Sequence, residues 1–408
     1  MIDNLSVIAT KYNKSVEYIN RQNFKKAQQL LRECLDEYEF KEGLVNLGNC
    51  YRHFGQDKKM FECYTKANSP EVPHLLGQST GDYTHALNNL GLAYFMYGND
   101  TAAIDCYDRC LAIEPKFNDS IWNKSTAVLR QACSGREDLF PLGWQLYDAR
   151  FLKTPPVKLK NKREDLVFWD FTSHVDALIV LVEQGIGDFL MWGRYFATLL
   201  QYCDKLYVQC DPSLECFVPD FATPVRDAAD VEVKFAVPLC SIAKLTDKIP
   251  PGNWLEGKFG AREFNEENFN IGIVWSGSSG HANNAYRSIP VHRFHNLARY
   301  ANLYSLTPGV KSTKYVKSLG INSWVDTAEY VNGLDLVISV DTSVVHLCGS
   351  LGRECWMIQP FKETDFRWGN RTDSKNVWYD SVRVFHNPQD WNFVFEQVLD
   401  ALKERLYC

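Results

Sequence analysis

Apolar and polar positions follow two rhythms along this chain, and the change falls near Phe151. Before it, apolar side chains recur at helical spacing. Leu44, Leu47 and Tyr51 share one face, and Met60, Tyr64 and Ala67 share the next. Leu87, Leu90 and Tyr94 repeat the first set, and Ala103, Tyr107 and Cys110 the second. Beyond Phe151, short β-branched runs alternate with helical stretches. This predicts strands at Ala177–Val182, Leu206–Val208, from Asn270, and at Leu303–Leu306, Leu336–Val340, Cys355–Ile358 and Val382–Phe385. A helix with Ile186, Phe189, Leu190, Phe196 and Leu200 on one face follows the first of these. An amphipathic helix closes the chain after Asp390. Strands alternating with helices imply parallel α/β sheets. The break at 250-PPGNW implies two such units with a cleft between them.

The first rhythm is a repeat. Segments 41-KEGLVNLGNCYRHFGQDKKMFECYTKANSP and 84-THALNNLGLAYFMYGNDTAAIDCYDRCLAIEP superimpose, with Gly48 matching Gly91. A fainter copy runs through Tyr18, Ala27, Leu31 and Cys34, and a degenerate fourth unit from Asn118 to Phe151. The spacing resembles the tetratricopeptide repeat, in which small residues let paired helices approach and aromatics fill the gaps. Such stacks offer a concave face to a peptide or protein. By repeat register Asn46, Asn88 and Asn123 are expected to point into that groove. The expected division is helical repeats over 1–151, a basic, Pro-containing linker over 152–170, α/β units over 171–265 and 266–390, and a terminal helix over 391–408.

Composition removes several classes. The chain of 408 residues is 45% hydrophobic and 23% charged, enough to bury ordinary cores, and its net charge of −6 argues against a nucleic-acid partner. Thirteen cysteines form no CxxC pair, so neither a zinc ribbon nor a thioredoxin-type site is legible, and no metal site is expected. No run has the length of a membrane span, and 1-MIDNLSVIATKYNKSVEYIN lacks a signal-peptide core. A reducing cytoplasm is the expected setting.

Three polar corners follow predicted strands, where ligands bind in open α/β sheets. In 183-EQGIGDFLMWGRY, Gly185 and Gly187 permit a tight turn and Asp188 stands at a helix start; taken alone, Asp188 reads as an N-cap. In 275-WSGSSGHANNAYRSIP, Ser276 and Gly277 offer backbone N–H groups to an anion, and Arg287 a bidentate fork. In 335-DLVISVDTSVVHLCGSLG, Asp341, Thr342 and Ser343 lie where a buried strand enters a helix, an anion site in waiting, with His346 one turn in. A lone histidine there is more often packed than catalytic. No GxxxxGK[ST] or GxGxxG occurs, so a P-loop hydrolase and a dinucleotide oxidoreductase are not expected.

The strings 183-EQGIGD, 273-IVWSG, 287-RSIP, 335-DLVISVDTSVVHLCGSLG, 365-DFRWG and 378-WY resemble bacterial glycosyltransferases that follow tetratricopeptide repeats. These are related to lipopolysaccharide heptosyltransferases and, distantly, to O-linked N-acetylglucosamine transferases. The resemblance implies a GT-B arrangement: an acceptor-side Rossmann-like domain facing a C-terminal one that holds a nucleotide-sugar donor. It implies an inverting, metal-independent transfer without a cofactor, from that donor to a protein or glycan acceptor. Asp188 falls on the family's candidate base. Gly187, Ser276, Gly277, Arg287, Asp341, Thr342, Ser343 and His346 fall on the donor side. One departure is the loop 281-HANNAYRSIP, where Arg287 is the only charge; such transferases carry a Lys and an Asp–Arg pair there. Two rival readings are a non-catalytic repeat protein with a relic nucleotide site and a nucleotide-sugar epimerase.

Overall fold

The computed structural model describes residues 2–75, 83–159, 163–183, 185–246, 248–264, 267–278, 284–362, 364–370, 375–386 and 390–407. The chain divides into two compact units, Met1–Val128 with Leu152–Thr154, and Leu129–Phe151 with Pro155–Cys408.

The first unit is built from helix pairs: α1 (Ile2–Asn20) with α2 (Phe24–Glu37), α3 (Lys41–His53) with α4 (Asp57–Ala67), and α5 (Thr84–Met96) with α6 (Asp100–Ile113). The repeated glycines have a steric cause. A Cβ on Gly48 would sit 2.5 Å from the Tyr64 ring, and one on Gly91 2.6 Å from the Tyr107 ring. In each pair an aromatic of the second helix therefore lies directly on the backbone of the first. Asn23 and Asn99 cap α2 and α6 through their side chains. The division falls inside α7 (Asn118–Cys133), after Val128.

Residues 129–151, expected to end the repeats, fold with the second unit instead. The reason is aromatic packing: α8 (Phe140–Tyr147) places Trp144 against Trp192, Trp378 and Phe366. The expected linker also ends early, because Val167–Phe168 pairs in parallel as strand β1. The first sheet comprises β1, β2 (Val175–Leu181), β3 (Cys203–Gln209), β4 (Thr223–Val225) and β5 (Phe235–Pro238), all parallel, in the order β1-β5-β2-β3-β4. Helices α9 (Ile186–Trp192) and α10 (Phe196–Leu199) follow β2.

The second sheet contains β6 (Asn270–Val274), β7 (Asn302–Ser305), β8 (Val316–Ser318), β9 (Leu336–Val340), β10 (Cys355–Gln359) and β11 (Val382–His386). Its order, β11-β10-β9-β6-β7-β8, is that of a doubly wound sheet, with the chain reversing direction between β6 and β9. Helices α11 (Asn284–Arg287), α12 (Trp324–Gly333), α13 (Ser343–Ser350) and α14 (Trp391–Tyr407) complete it. Leu336, Ile338 and Val340 of β9 meet Val394, Val398 and Leu402 of α14 in one core. The terminal helix is thus part of this domain rather than an appendage. No helix among the described residues is long and apolar enough to cross a membrane.

Candidate functional site

Strand β9 is buried along its length, and it delivers Asp341 and Thr342 to the start of α13. Thr342 occupies the N-cap position without capping; its hydroxyl lies 3.0 Å from that of Ser339. Among the described residues no side chain caps the first turn of α13, the arrangement that binds anions. Trp368 Nε1–H donates to Asp341 Oδ1 (2.9 Å). His346, one turn in, is buried, stacks on Trp368 at 5.2 Å between ring centres, and lies 3.0 Å through Nδ1 from the Tyr379 hydroxyl. Burial, with Arg367 nearby, pushes His346 down to about 3, so it stays neutral and packs as the sequence reading favoured.

The turn after β2 meets this corner. A Cβ on Gly187 would lie 3.0 Å from the His346 ring and 3.5 Å from Ser343 Cα, so a side chain there would press the His346 ring back by a few tenths of an ångström. Asp188 caps its own helix by accepting the Gly185 N–H at Oδ2 (3.0 Å). Its other oxygen pairs with Arg367. Arg367 in turn donates to both oxygens of Asp365 (2.9 and 2.8 Å), so one guanidinium bridges two carboxylates. Burial raises the Asp188 carboxyl above its ordinary value against the pull of Arg367. Burial would raise Asp365 too, but Arg367 and its backbone N–H hold that carboxyl down.

Arg287 comes from the short helix α11. It donates to the Asp341 carbonyl (2.7 Å) and lies so flat on Gly277 that a Cβ there would be 2.3 Å from Nη2. Residues 279–283 of this loop and Gln184 of the β2 turn lie outside the described residues. Gly187, Asp188, Ser276, Gly277, Arg287, Asp341, Thr342, Ser343 and His346 all line one cleft of about 830 Å³ within the second unit. It sits at the carboxyl ends of the parallel strands, across the reversals in both sheets.

Several wall residues escaped the sequence reading. Asp365 and Arg367 were visible only as part of a family string, with no periodicity to assign them a role. The far wall, Leu306–Pro308 and Ile321–Trp324, follows β7 and β8. Beneath the β2 turn, Arg150 is fully buried and grips Glu183 through Nε and Nη2 (2.6 and 2.7 Å). Arg130, also fully buried, donates to Thr364 Oγ1 (3.1 Å) at the head of the Arg367 loop. The 129–151 segment thus holds both loops that meet at Asp188.

The asparagines of the first unit need one correction. Asn46 precedes Gly48 by two positions, so its equivalent before Gly91 is Asn89, not Asn88. Asn88 is buried and accepts from Asn123 Nδ2 (3.0 Å). Asn46, half-buried, donates to the Tyr12 hydroxyl (2.9 Å).

Asp341 carries a measurable consequence. Burial and the neighbouring Asp365 raise its carboxyl to about 6. A carboxyl raised on folding favours the fold at low pH, and that contribution is lost as pH rises from about 4 through 6. At pH 7.5 the ionised group is a net cost. Asp341→Asn, which can still accept from Trp368, should therefore stabilise the protein by about 1–3 kcal/mol at pH 7.5 and by little at pH 4. Urea denaturation at the two pH values checks this. A loss of stability at pH 7.5 would contradict it.

A family model described as tetratricopeptide repeat matches residues 85–117, so the chain carries such a repeat. An O-GlcNAc transferase mutant from Thermobaculum terrenum aligns over 99% of this chain and 92% of its own, at 10% identity and a TM-score of 0.36. MamA aligns over 35% of this chain and 75% of its own, at 17% identity and a TM-score of 0.28. A tetratricopeptide repeat protein from Parabacteroides merdae aligns over 35% and 51%, at 16% identity and a TM-score of 0.28. No curated protein matches.

Proposed function

We propose that this chain is a glycosyltransferase of GT-B arrangement, moving a sugar from a nucleotide-sugar donor to a protein or glycan acceptor with inversion. The observation that carries the reading is the meeting, in one cleft, of an uncapped helix start and Arg287 from the second sheet with the carboxylate of Asp188 from the first. Phosphate wants the former and a hydroxyl about to lose its proton wants the latter. In this reading the acceptor oxygen bonds to the anomeric carbon as its proton passes to Asp188. The carbon–oxygen bond to phosphate breaks, and the nucleoside diphosphate leaves onto the α13 N-terminus and Arg287. Asp188 uses two of about four acceptor positions on its carboxylate, so it can accept a further hydrogen bond. Partner recognition by the repeats, through Asn46, Asn89 and Asn123, belongs to the same reading.

The test is a panel of nucleoside diphosphates and nucleotide sugars screened by thermal shift, since a ligand of the folded state raises the melting point. One nucleoside class should bind, and Arg287→Ala should weaken it by roughly 10- to 100-fold, the loss of a hydrogen bond to a charged group. Arg287→Lys should recover only part, because an ammonium cannot form the fork. No binding by any member overturns the reading. Binding without transfer favours a non-catalytic repeat protein, and release of an altered free sugar nucleotide favours an epimerase.

A further inference from the structure

From residue 268 to residue 325 the chain contains no Asp or Glu, although it has 50 of them in all, while Arg287, Arg293, Arg299, Lys311, Lys314 and Lys317 all fall there. This stretch builds β6, β7 and β8, one flank and edge of the second sheet. Among the described residues three of these cations meet neutral groups. Lys314 lies over the Tyr315 ring, Lys317 over the Tyr304 ring, and Arg293 donates to Asn392 Oδ1 (2.6 Å).

The lysines also have a specific address. Residues 306–308 and 321–324 line the cleft, and Lys311, Lys314 and Lys317 ride on the excursion between them. Thr313 N–H donates to the Val316 carbonyl (2.8 Å) and Ser318 N–H to Ser312 Oγ (2.9 Å), which folds the excursion back on itself. Lys311 lies three residues past Pro308 and Lys317 four before Ile321. Contour length puts their Cα atoms within roughly 11 and 14 Å of the wall. That is comparable to the screening length of about 8–10 Å at ordinary ionic strength.

The cleft interior does not supply such a field. Its wall sets Asp188, Asp341 and Asp365 against Arg287 and Arg367, a balance suited to close-range hydrogen bonding rather than long-range attraction of a dianion. We propose that the acid-free flank is an electrostatic guide that draws the anionic nucleotide donor into the cleft, with Lys311, Lys314 and Lys317 as its charged rim. The proposal rests on the donor-binding reading above. The lysines act on association and contribute little once the ligand is bound.

The test is stopped-flow association of the nucleoside diphosphate selected by the panel with the full-length protein. The variant is Lys311→Glu/Lys314→Glu/Lys317→Glu; the control Lys158→Glu/Lys205→Glu/Lys234→Glu changes net charge equally and lies outside the flank. At about 10 mM salt, where screening extends to about 30 Å, the rim variant should associate about tenfold more slowly, with its dissociation rate within twofold of the parent. Near 1 M salt the difference should vanish. The control should associate like the parent at both. Equal association of rim variant and parent at low salt, or a change confined to dissociation, overturns the guide and leaves the donor reading standing. If the parent binds no nucleotide at all, both fall.

Discussion

Arg150→Met should destabilise the protein by about 3–5 kcal/mol, the cost of leaving a buried charge without its partner. Among the described residues Glu183, whose side chain is 0% exposed, would keep only the Cys240 N–H (3.0 Å) in place of a bidentate guanidinium. The same substitution strips Asp148 and Ser241 of the Arg150 donors at 2.6 and 2.7 Å, though Lys244 still pairs with Asp148. The double variant Arg150→Met/Glu183→Leu should recover much of the loss, because an apolar pair of similar volume often replaces a buried ion pair at little cost. Urea denaturation of the two single variants and the double one reads the coupling. A cost below about 1 kcal/mol for Arg150→Met would show that water or a rearranged neighbour solvates Glu183. The matter bears on function because Glu183 begins the turn that presents Gly187 and Asp188. A chain beginning near Thr154 would lack both Arg150 and Arg130, so it is not a fair carrier of the isolated cleft, contrary to what the sequence division at Phe151 implies.

What could be seen in the sequence was set by periodicity and length. Leu336–Val340 is a strand over the predicted residues, since five buried positions in a row, four of them apolar, admit little else. The β2 run shifts by only a residue or two. The strands not foreseen are β1, β4, β5 and β8, of two to four residues each. Three of them are sheet edges, where one side meets solvent and no alternation is needed. The corners at Asp188, Arg287 and Asp341 were legible because each breaks a strong pattern with glycine, hydroxyl or charge. Arg150, Arg130 and Arg367 were not, because a buried ion pair joins positions far apart in the chain, such as 150 with 183 and 367 with 188, and leaves no local trace. The Asn88 error has a different root, a register read one residue off. Helical spacing puts neighbouring asparagines within one step of each other, and counting back two from Gly48 and Gly91 fixes the register on Asn89.

Asp188→Asn should lower glycosyl transfer by about 10²- to 10⁴-fold, the usual contribution of a positioned general base, while changing nucleoside diphosphate affinity by less than about threefold. The substitution is nearly isosteric, though it sets an amide N–H against Arg367 where a carboxylate oxygen accepted before. Asp365 continues to hold Arg367 through two hydrogen bonds of 2.9 and 2.8 Å, so the guanidinium does not swing into the space of the donor. The amide oxygen can still accept the Gly185 N–H, which lies 3.0 Å from the carboxylate oxygen in the parent. What is lost is the proton acceptor. The raised Asp188 carboxyl makes the point testable by pH as well. Transfer by the parent should rise with pH through a single carboxyl ionisation, and the residual rate of Asp188→Asn should lack that limb. Of the other two carboxyls in the cleft, Asp365 is held down by Arg367 while Asp341 is raised to about 6, so Asp341→Asn must be assayed beside it. Near-wild-type turnover in Asp188→Asn with loss in Asp341→Asn would move the base to Asp341. Loss of nucleotide binding in Asp188→Asn would show that Asp188 serves to hold Arg367 and not to take a proton.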